Sequence, residues 1–403
     1  MNVETLTATI LGKMSGISKW QCTFLLFIFD LQLRLRGRHN FKNMSRQSSL
    51  NEKTFHDNYA RCFDFGTFNT LLCNQYCSDL KIVAFDPSYL SKSGKDTPGV
   101  GYFWSGSAGV SKWGLEIGGF ACVDIIENRA YHLLAEQTLT TEEEDFNLLD
   151  YYADLVIRQK SLILATSPYL VVDAFFSREP FVTAVFLAGI HLITRMRKDA
   201  HLIYPYVGPH PKRRGAKTKY AGKFDPLNLN PAYFTCCIED EEEGIRVFEG
   251  TLYSKALKKM IRVAIVYNYD KEGNFLSYQI YVSTDLTLTG IEIYCFYKAR
   301  YQIEFIYRDG KQFVGLQHCQ SRNKDKLHFH FNTALTTVSL AKVLHKENIE
   351  KGQTKPFSMA DIKTQYVNEQ MFDLIIKECG ICPNKPNIIK AKHRFLNYAK
   401  ISA

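Results

Sequence analysis

YLVVDAFF, residues 169–176, is a run of large apolar side chains interrupted by one carboxylate, Asp173. Four apolar residues ahead of the charge read as a strand buried on both faces, because a half-exposed strand would alternate. The segment before it, TEEEDFNLLDYYADLVIRQK (141–160), carries Thr141 and Glu144 at capping-box spacing and apolar positions at helical intervals, which predicts a helix. After it, a helix is expected over about residues 178–188 and a strand over HLITRMR (191–197). Upstream lie three short β-rich runs: KIVAFDPSYL (81–90), LEIGGFACVDII (115–126) and AYHLLAEQTL (130–139). A Gly- and Ser-rich loop from Ser91 to Gly109 separates the first two.

This order, βββαβαβ, is that of a ribonuclease-H-like core, in which a meander is followed by strand–helix–strand units that build parallel pairing. The expected fold class is α/β: a ribonuclease-H-like mixed sheet (βββαβαβ then helix) interrupted by a β-rich insertion, with N-terminal and C-terminal helical regions. The division expected is 1–78 helical, 79–199 the first part of the core, 200–290 the insertion, 291–345 the final core helices and 346–403 a C-terminal helical region. Strands are expected in the insertion near 245–253, 260–268 and 276–283. One helix is expected from Thr289 to about Leu316, another from Lys326 to Leu344, and two more near 359–378 and 389–400.

In the N-terminal region, NFKNMSRQSSLNEKTFHDNYARCFDF (40–65) reads as helix, turn, helix. Ser48 and Ser49 would supply the turn and N-cap, and a second helix from about Asn51 to Ala60 would present Lys53, His56 and Asn58. A DNA-binding helix-turn-helix and a plain helical packing domain both fit this pattern. The basic stretch Arg34, Arg36, Arg38, Lys42 and Arg46 favours the first.

With 403 residues, 46% apolar and 13% aromatic, the chain can bury a large core, and its length suggests two or three domains. Its formal net charge of +9 favours polyanionic partners, although solubility alone would account for it. Eleven cysteines, an odd number without a regular framework, fit a reduced, cytoplasmic compartment better than a disulfide scaffold. Cys379 with Cys382 and Cys73 with Cys77 are closely spaced, but a structural zinc site needs four ligands and no evident second pair completes either. They read as scattered thiols. The longest early apolar run, Phe24 to Ile28, is far short of the roughly 20 residues of a membrane span. No membrane association or secretory signal is expected.

Asp86 and Asp173 each follow four or more apolar residues, where a buried strand emerges at a sheet edge. In this topology the first and fourth strands are neighbours, so the two carboxylates would lie side by side. Paired carboxylates raise each other's pKa unless a cation sits between them, and hard oxygen ligands suit Mg²⁺ or Mn²⁺. A third carboxylate comes from YCFYKARYQIEFIYRDGKQFVGL (294–316). There Tyr297, Arg300, Glu304 and Lys311 fall within about 60° of one another on a helix at 100° per residue, forming one polar stripe on an otherwise aromatic and aliphatic segment.

The spacing Y-x2-R-x3-E-x6-K at Tyr297, Arg300, Glu304 and Lys311 resembles the signature of a large group of bacterial insertion-sequence DDE transposases of the cut-and-paste kind. The surroundings are similar too: AFDPSYL at Asp86, VVDAFF with Ala174 and Phe175 at Asp173, and a β-rich stretch before Glu304. The resemblance spans roughly residues 20–345. It implies that Asp86, Asp173 and Glu304 are catalytic and hold two metal ions, and that Tyr297, Arg300 and Lys311 grip phosphates near the transposon end. Members of the group stack a flipped base on an aromatic residue of the insertion, usually Trp; Tyr278, in SYQIYVSTD, is the nearest positional match.

The resemblance also implies double-stranded DNA as partner, both transposon ends and target, a homodimer assembled on that DNA, and a place at the bacterial nucleoid. The dense basic loop HPKRRGAKTKYAGK (210–223), with Lys212, Arg213 and Arg214, fits a phosphate clamp or a merely solvated loop. The function expected is metal-dependent cleavage at transposon ends and strand transfer into target DNA. The alternatives are a structure-selective nuclease that does not join, and a transposase-derived DNA-binding regulator.

Overall fold

The computed structural model of the chain describes residues 1–139, 147–209, 216–240, 242–349 and 355–401. It is a mixed α/β fold in which the described strands form one sheet, flanked by helical N-terminal and C-terminal regions. The centre of the sheet is made by β1 (Lys81–Ser91), β3 (Val110–Asp124), β4 (Arg129–Gln137), β5 (Tyr169–Val171) and β6 (His191–Met196). β3 lies antiparallel between β1 and β4, whereas β1, β5 and β6 run parallel. The strand succession predicted for a ribonuclease-H-like core is therefore present.

The loop expected between Ser91 and Gly109 contains a further strand, β2 (Gly101–Ser105), hairpinned onto β3. Its sequence, GYFWS, sits among glycines and serines that mask its short aromatic pattern. Between β4 and β5 run two helices, α6 (Leu148–Arg158) and α7 (Lys160–Thr166). The α6 N-terminus is capped by the Asn147 side chain accepting from the Leu149 N–H; the expected Thr141 and Glu144 lie outside the described residues. After Asp173 come a 3₁₀ turn, Ala174–Phe176, and α8 (Glu179–Leu187).

Residues 200–290 extend the same sheet. β12 (Phe275–Ser283) pairs antiparallel with β6, and β11 (Lys259–Tyr269), β10 (Ile245–Ser254), β7 (Leu202–Pro205) and β8 (Tyr220–Lys223) follow outward, with β9 (Phe234–Asp240) and β7 sharing the side of β10 away from β11. The three expected strands of this stretch match β10, β11 and β12, and the shorter, more polar β7, β8 and β9 are additional.

One edge of the central sheet is unusual in how its hydrogen bonds are met. Among the described residues β4 pairs with β3 alone, and its other side faces α11 (Lys324–Asn348) rather than water. Polar side chains of that helix take the place of a strand. The Asn332 side chain accepts from Ala135 N–H and donates to Ala135 O, Ser339 Oγ accepts from His132 N–H, and Lys342 Nζ donates to Ala130 O. Asn69, on α5 (Phe65–Tyr76), donates to Leu133 O. Buried backbone groups must be satisfied, and this explains why α11 carries Asn332, Ser339 and Lys342 along its buried length.

The first helices are α1 (Val3–Leu11), α2 (Lys19–Arg34), α3 (Phe41–Arg46) and α4 (Glu52–Tyr59). Phe24, Phe55, Tyr59 and Phe65 pack with Phe329 of α11 as one aromatic cluster. The helix, turn, helix pattern is corrected in two respects. Asn51, not a serine, caps α4, accepting from the Thr54 N–H, and Asn58 is buried with its amide donating to Thr54 O. Lys53 and His56 remain exposed. In the C-terminal region α12 (Met359–Glu378) packs on α2, where Lys363 Nζ donates to the carbonyls of Gln32 and Leu35 and so satisfies the end of that helix. α13 (Pro386–Leu396) follows it.

Candidate active site

The parallel pair β1 and β5 places the two aspartates. Val83 lies opposite Leu170 and Ala84 opposite Val171, so two residues further along each strand Asp86 comes level with Asp173. β5 ends at Val171, and Asp173 turns the chain, its carboxylate accepting from the Phe175 N–H to open the 3₁₀ turn. Asp86 is not at the end of its strand, as the apolar run suggested, because β1 continues to Ser91 against β3. It lies where the partner on the β5 side has ended, which opens a crevice at the carboxyl ends of parallel strands.

Glu304 reaches this crevice from a helix that differs from expectation. The segment Thr289 to Leu316 forms two helices, α9 (Gly290–Ala299) and α10 (Gln302–Phe313). At the junction the Ile303 and Glu304 N–H groups bond to the carbonyls of Arg300 and Tyr301, three residues back rather than four. This tightening involves no Gly or Pro, so the side-chain pattern carried no sign of it. Asp86, Asp173, Glu304 and Lys311 line one cleft of about 990 Å³.

Arg300 bridges two of the acids: one terminal nitrogen lies 3.2 Å from Asp86 Oδ1, the other 3.8 Å from Glu304 Oε1. Its Nε has no hydrogen-bond partner among the described residues. Lys311 Nζ donates to Ser88 Oγ at 2.9 Å, on the same face of β1 as Asp86. Tyr297 stands apart from the cleft lining, its ring against Tyr281 at 4.6 Å and under the Arg300 guanidinium at 5.8 Å. Tyr278 lies opposite Tyr267 on the outer part of β12, with Lys198 5.0 Å over its ring, and does not line the cleft. Lys53 projects from α4. Lys212, Arg213 and Arg214 lie outside the described residues.

Three contributors had no motif to announce them. Tyr307 is buried and donates to the Asp86 carbonyl at 2.6 Å, fastening α10 to β1 at the level of the acids. Glu116 on β3 is a fourth carboxylate in the cleft wall, bonded by the Tyr152 hydroxyl. A glutamate within the apolar run LEIGG is the one signal the sequence offered for it. Trp104, largely exposed on β2, forms part of the rim.

The electrostatics ask for a cation. Burial pushes the Asp86 carboxyl up to about 7 against the pull of Arg300, and the charges of Asp173 and Glu304 push the same way as burial. Glu304 is raised by burial and by Asp173, opposed by Arg300. One guanidinium therefore does not neutralise three carboxylates, and a hard divalent ion among oxygen ligands fits the set.

The sign of the pH effect follows. Between about pH 4 and pH 7 the folded chain keeps a proton on Asp86 that the unfolded chain has released, so metal-free stability falls as pH rises through that window. Thermal unfolding in chelator should show this slope, and Asp86→Asn should flatten it; equal slopes in both proteins would contradict the burial-driven shift.

Among the described residues no helix is long and apolar enough to cross a membrane. Residues 141–340 match the family model described as a transposase DDE domain, a stretch that includes Asp173 and Glu304 and leaves Asp86 outside. No curated protein matches the chain.

Proposed function

From the premise that the chain carries a transposase DDE domain, we propose that it cleaves DNA at transposon ends and transfers the freed strands into target DNA, with Asp86, Asp173 and Glu304 as its catalytic carboxylates. The observation that supports this most directly is the meeting of Asp86 and Asp173, level on adjacent parallel strands, with Glu304 in one cleft. DNA is the substrate the family implies, and its members generally use divalent metal ions. We assign two such ions, Mg²⁺ or Mn²⁺, to these three residues. When bound, they would lower the pKa of the attacking oxygen, water or a DNA 3′-hydroxyl, and stabilise the departing 3′-oxygen.

The protein's own groups then have distinct tasks. Arg300, held between Asp86 and Glu304, and Lys311, held on Ser88, present cations at the cleft where a phosphodiester would lie. Tyr297 supports Arg300 through its ring. Tyr307 keeps α10 in register with β1, so that Glu304 and Lys311 stay aimed at the same phosphate. We further assign Tyr278, Lys53, Lys212, Arg213 and Arg214 to more distant DNA contacts, and a homodimer to the complex that holds two transposon ends.

The test uses the purified chain, Mg²⁺ and the DNA flanking its own gene, with cleavage and joining scored separately. Both products are expected. Cleavage without joining would make it a nuclease, and binding with neither would make it a DNA-binding regulator.

A further inference from the structure

Away from the cleft, three of the eleven cysteines converge from two elements. Cys73 lies in the last full turn of α5 and Cys77 is its C-cap residue, a spacing of four that stacks both sulfurs on one helix face. Cys122 comes from β3, opposite Val83 on one side and Tyr131 on the other. All three sulfurs lie within 4.8 Å of one another. Metal–sulfur bonds of about 2.3 Å in a tetrahedral shell place sulfurs roughly 3.8 Å apart, so a small contraction closes the set around one ion.

We propose that Cys73, Cys77 and Cys122 form a zinc site of three thiolates that ties the end of α5 to β3, with its fourth coordination position open toward solvent beside Cys77. Core packing alone would explain thiols gathered in the interior, but Cys77 is only partly buried while Cys73 and Cys122 are sealed, so the cluster can be approached from solvent on the Cys77 side.

The nearby Asp124 carboxylate is not that ligand, since it already accepts from Ser78 N–H, Ser78 Oγ and Glu127 N–H. Thiolate sulfur selects a thiophilic ion over the hard ions suited to the carboxylate cleft. Three thiolates with Zn²⁺ leave one net negative charge, which the neighbouring Lys81 offsets, whereas a monovalent soft ion would leave two.

The test uses the full chain carrying Cys379→Ser and Cys382→Ser, which removes the exposed C-x-x-C pair as a competing binder. Reduced and stripped with chelator, this parent is titrated with Co²⁺ as a spectroscopic probe and then with Zn²⁺. The expected result is a thiolate-to-cobalt charge-transfer band that saturates at one equivalent, whatever Co²⁺ the carboxylate cleft also takes up, and that Zn²⁺ bleaches, with a Zn²⁺-dependent rise in melting temperature. Adding Cys77→Ser or Cys122→Ala should remove both the band and the rise, with circular dichroism showing the fold retained. If Cys122→Ala unfolds the chain, Cys77→Ser at the partly exposed helix end decides. No band in the parent, a full band in Cys77→Ser, or capture of Cu⁺ but not Zn²⁺ would overturn the assignment.

Discussion

Alanine at Asp86, Asp173 or Glu304 is expected to lower both Mg²⁺-dependent cleavage and joining by about 10²–10³-fold or more, the scale of losing a group that stabilises transition-state charge. DNA binding should change little in the same proteins, because Arg300, Lys311 and the more distant basic residues remain. The three variants should differ in stability. Asp86 is partly buried and desolvation disfavours its charged form, so Asp86→Ala removes an unfavourable group and should leave the metal-free fold as stable as the parent or more so. Glu304 is more open and holds one side of Arg300, so its loss should free the guanidinium with little effect on melting. Gel shifts, cleavage assays and thermal melts on the three proteins check this. If all three cut and join like the parent, the carboxylate site is wrong.

The second large effect is expected at a residue with no side chain. Gly119 sits on β3 opposite Asp86, and a Cβ there would lie 2.1 Å from the Tyr307 hydroxyl and 3.0 Å from the ring carbon that bears it. Tyr307 is buried and follows Glu304 by one helical turn, so it cannot give way without moving α10. Gly119→Ala should therefore cost about 1–3 kcal/mol of stability from overpacking and should also lower cleavage by displacing Glu304 and Lys311.

Tyr307→Phe alone should cost about 0.5–1.5 kcal/mol through the lost bond to the Asp86 carbonyl. In the double variant the hydroxyl that clashed is gone, so the combined loss should be smaller than the sum of the two. Denaturant unfolding of the four proteins measures the coupling. Strictly additive losses would mean that Gly119 is not reserved for this tyrosine.

The positions of the acids are largely legible in the local sequence. KIVAFDPSYL and YLVVDAFF announce two buried strands, and the order of elements makes those strands neighbours, which brings Asp86 beside Asp173. The long apolar or alternating runs of β10, β11 and β12 and the long helices α11 and α12 are equally plain. Short or polar pieces escape: β2 lies among glycines, β8 is fully exposed and β7 has only four residues. The break between α9 and α10 escapes as well, because both sides and the junction keep right-handed helical dihedrals and only the hydrogen-bond partner changes.

What the sequence by itself determined is what the periodicity of its long, strongly patterned segments dictates: which of those are strands or helices, and that Asp173 stands where a buried strand emerges. Only the tertiary structure decided which residues from distant segments touch. It set Tyr307 against Gly119, Arg300 between Asp86 and Glu304, Asn332 along the β4 edge, and Cys122 beside Cys73 and Cys77. A side chain's burial within a long periodic segment follows from that segment's own pattern. Its partner follows from register and packing distance between elements far apart in sequence, which no local pattern records.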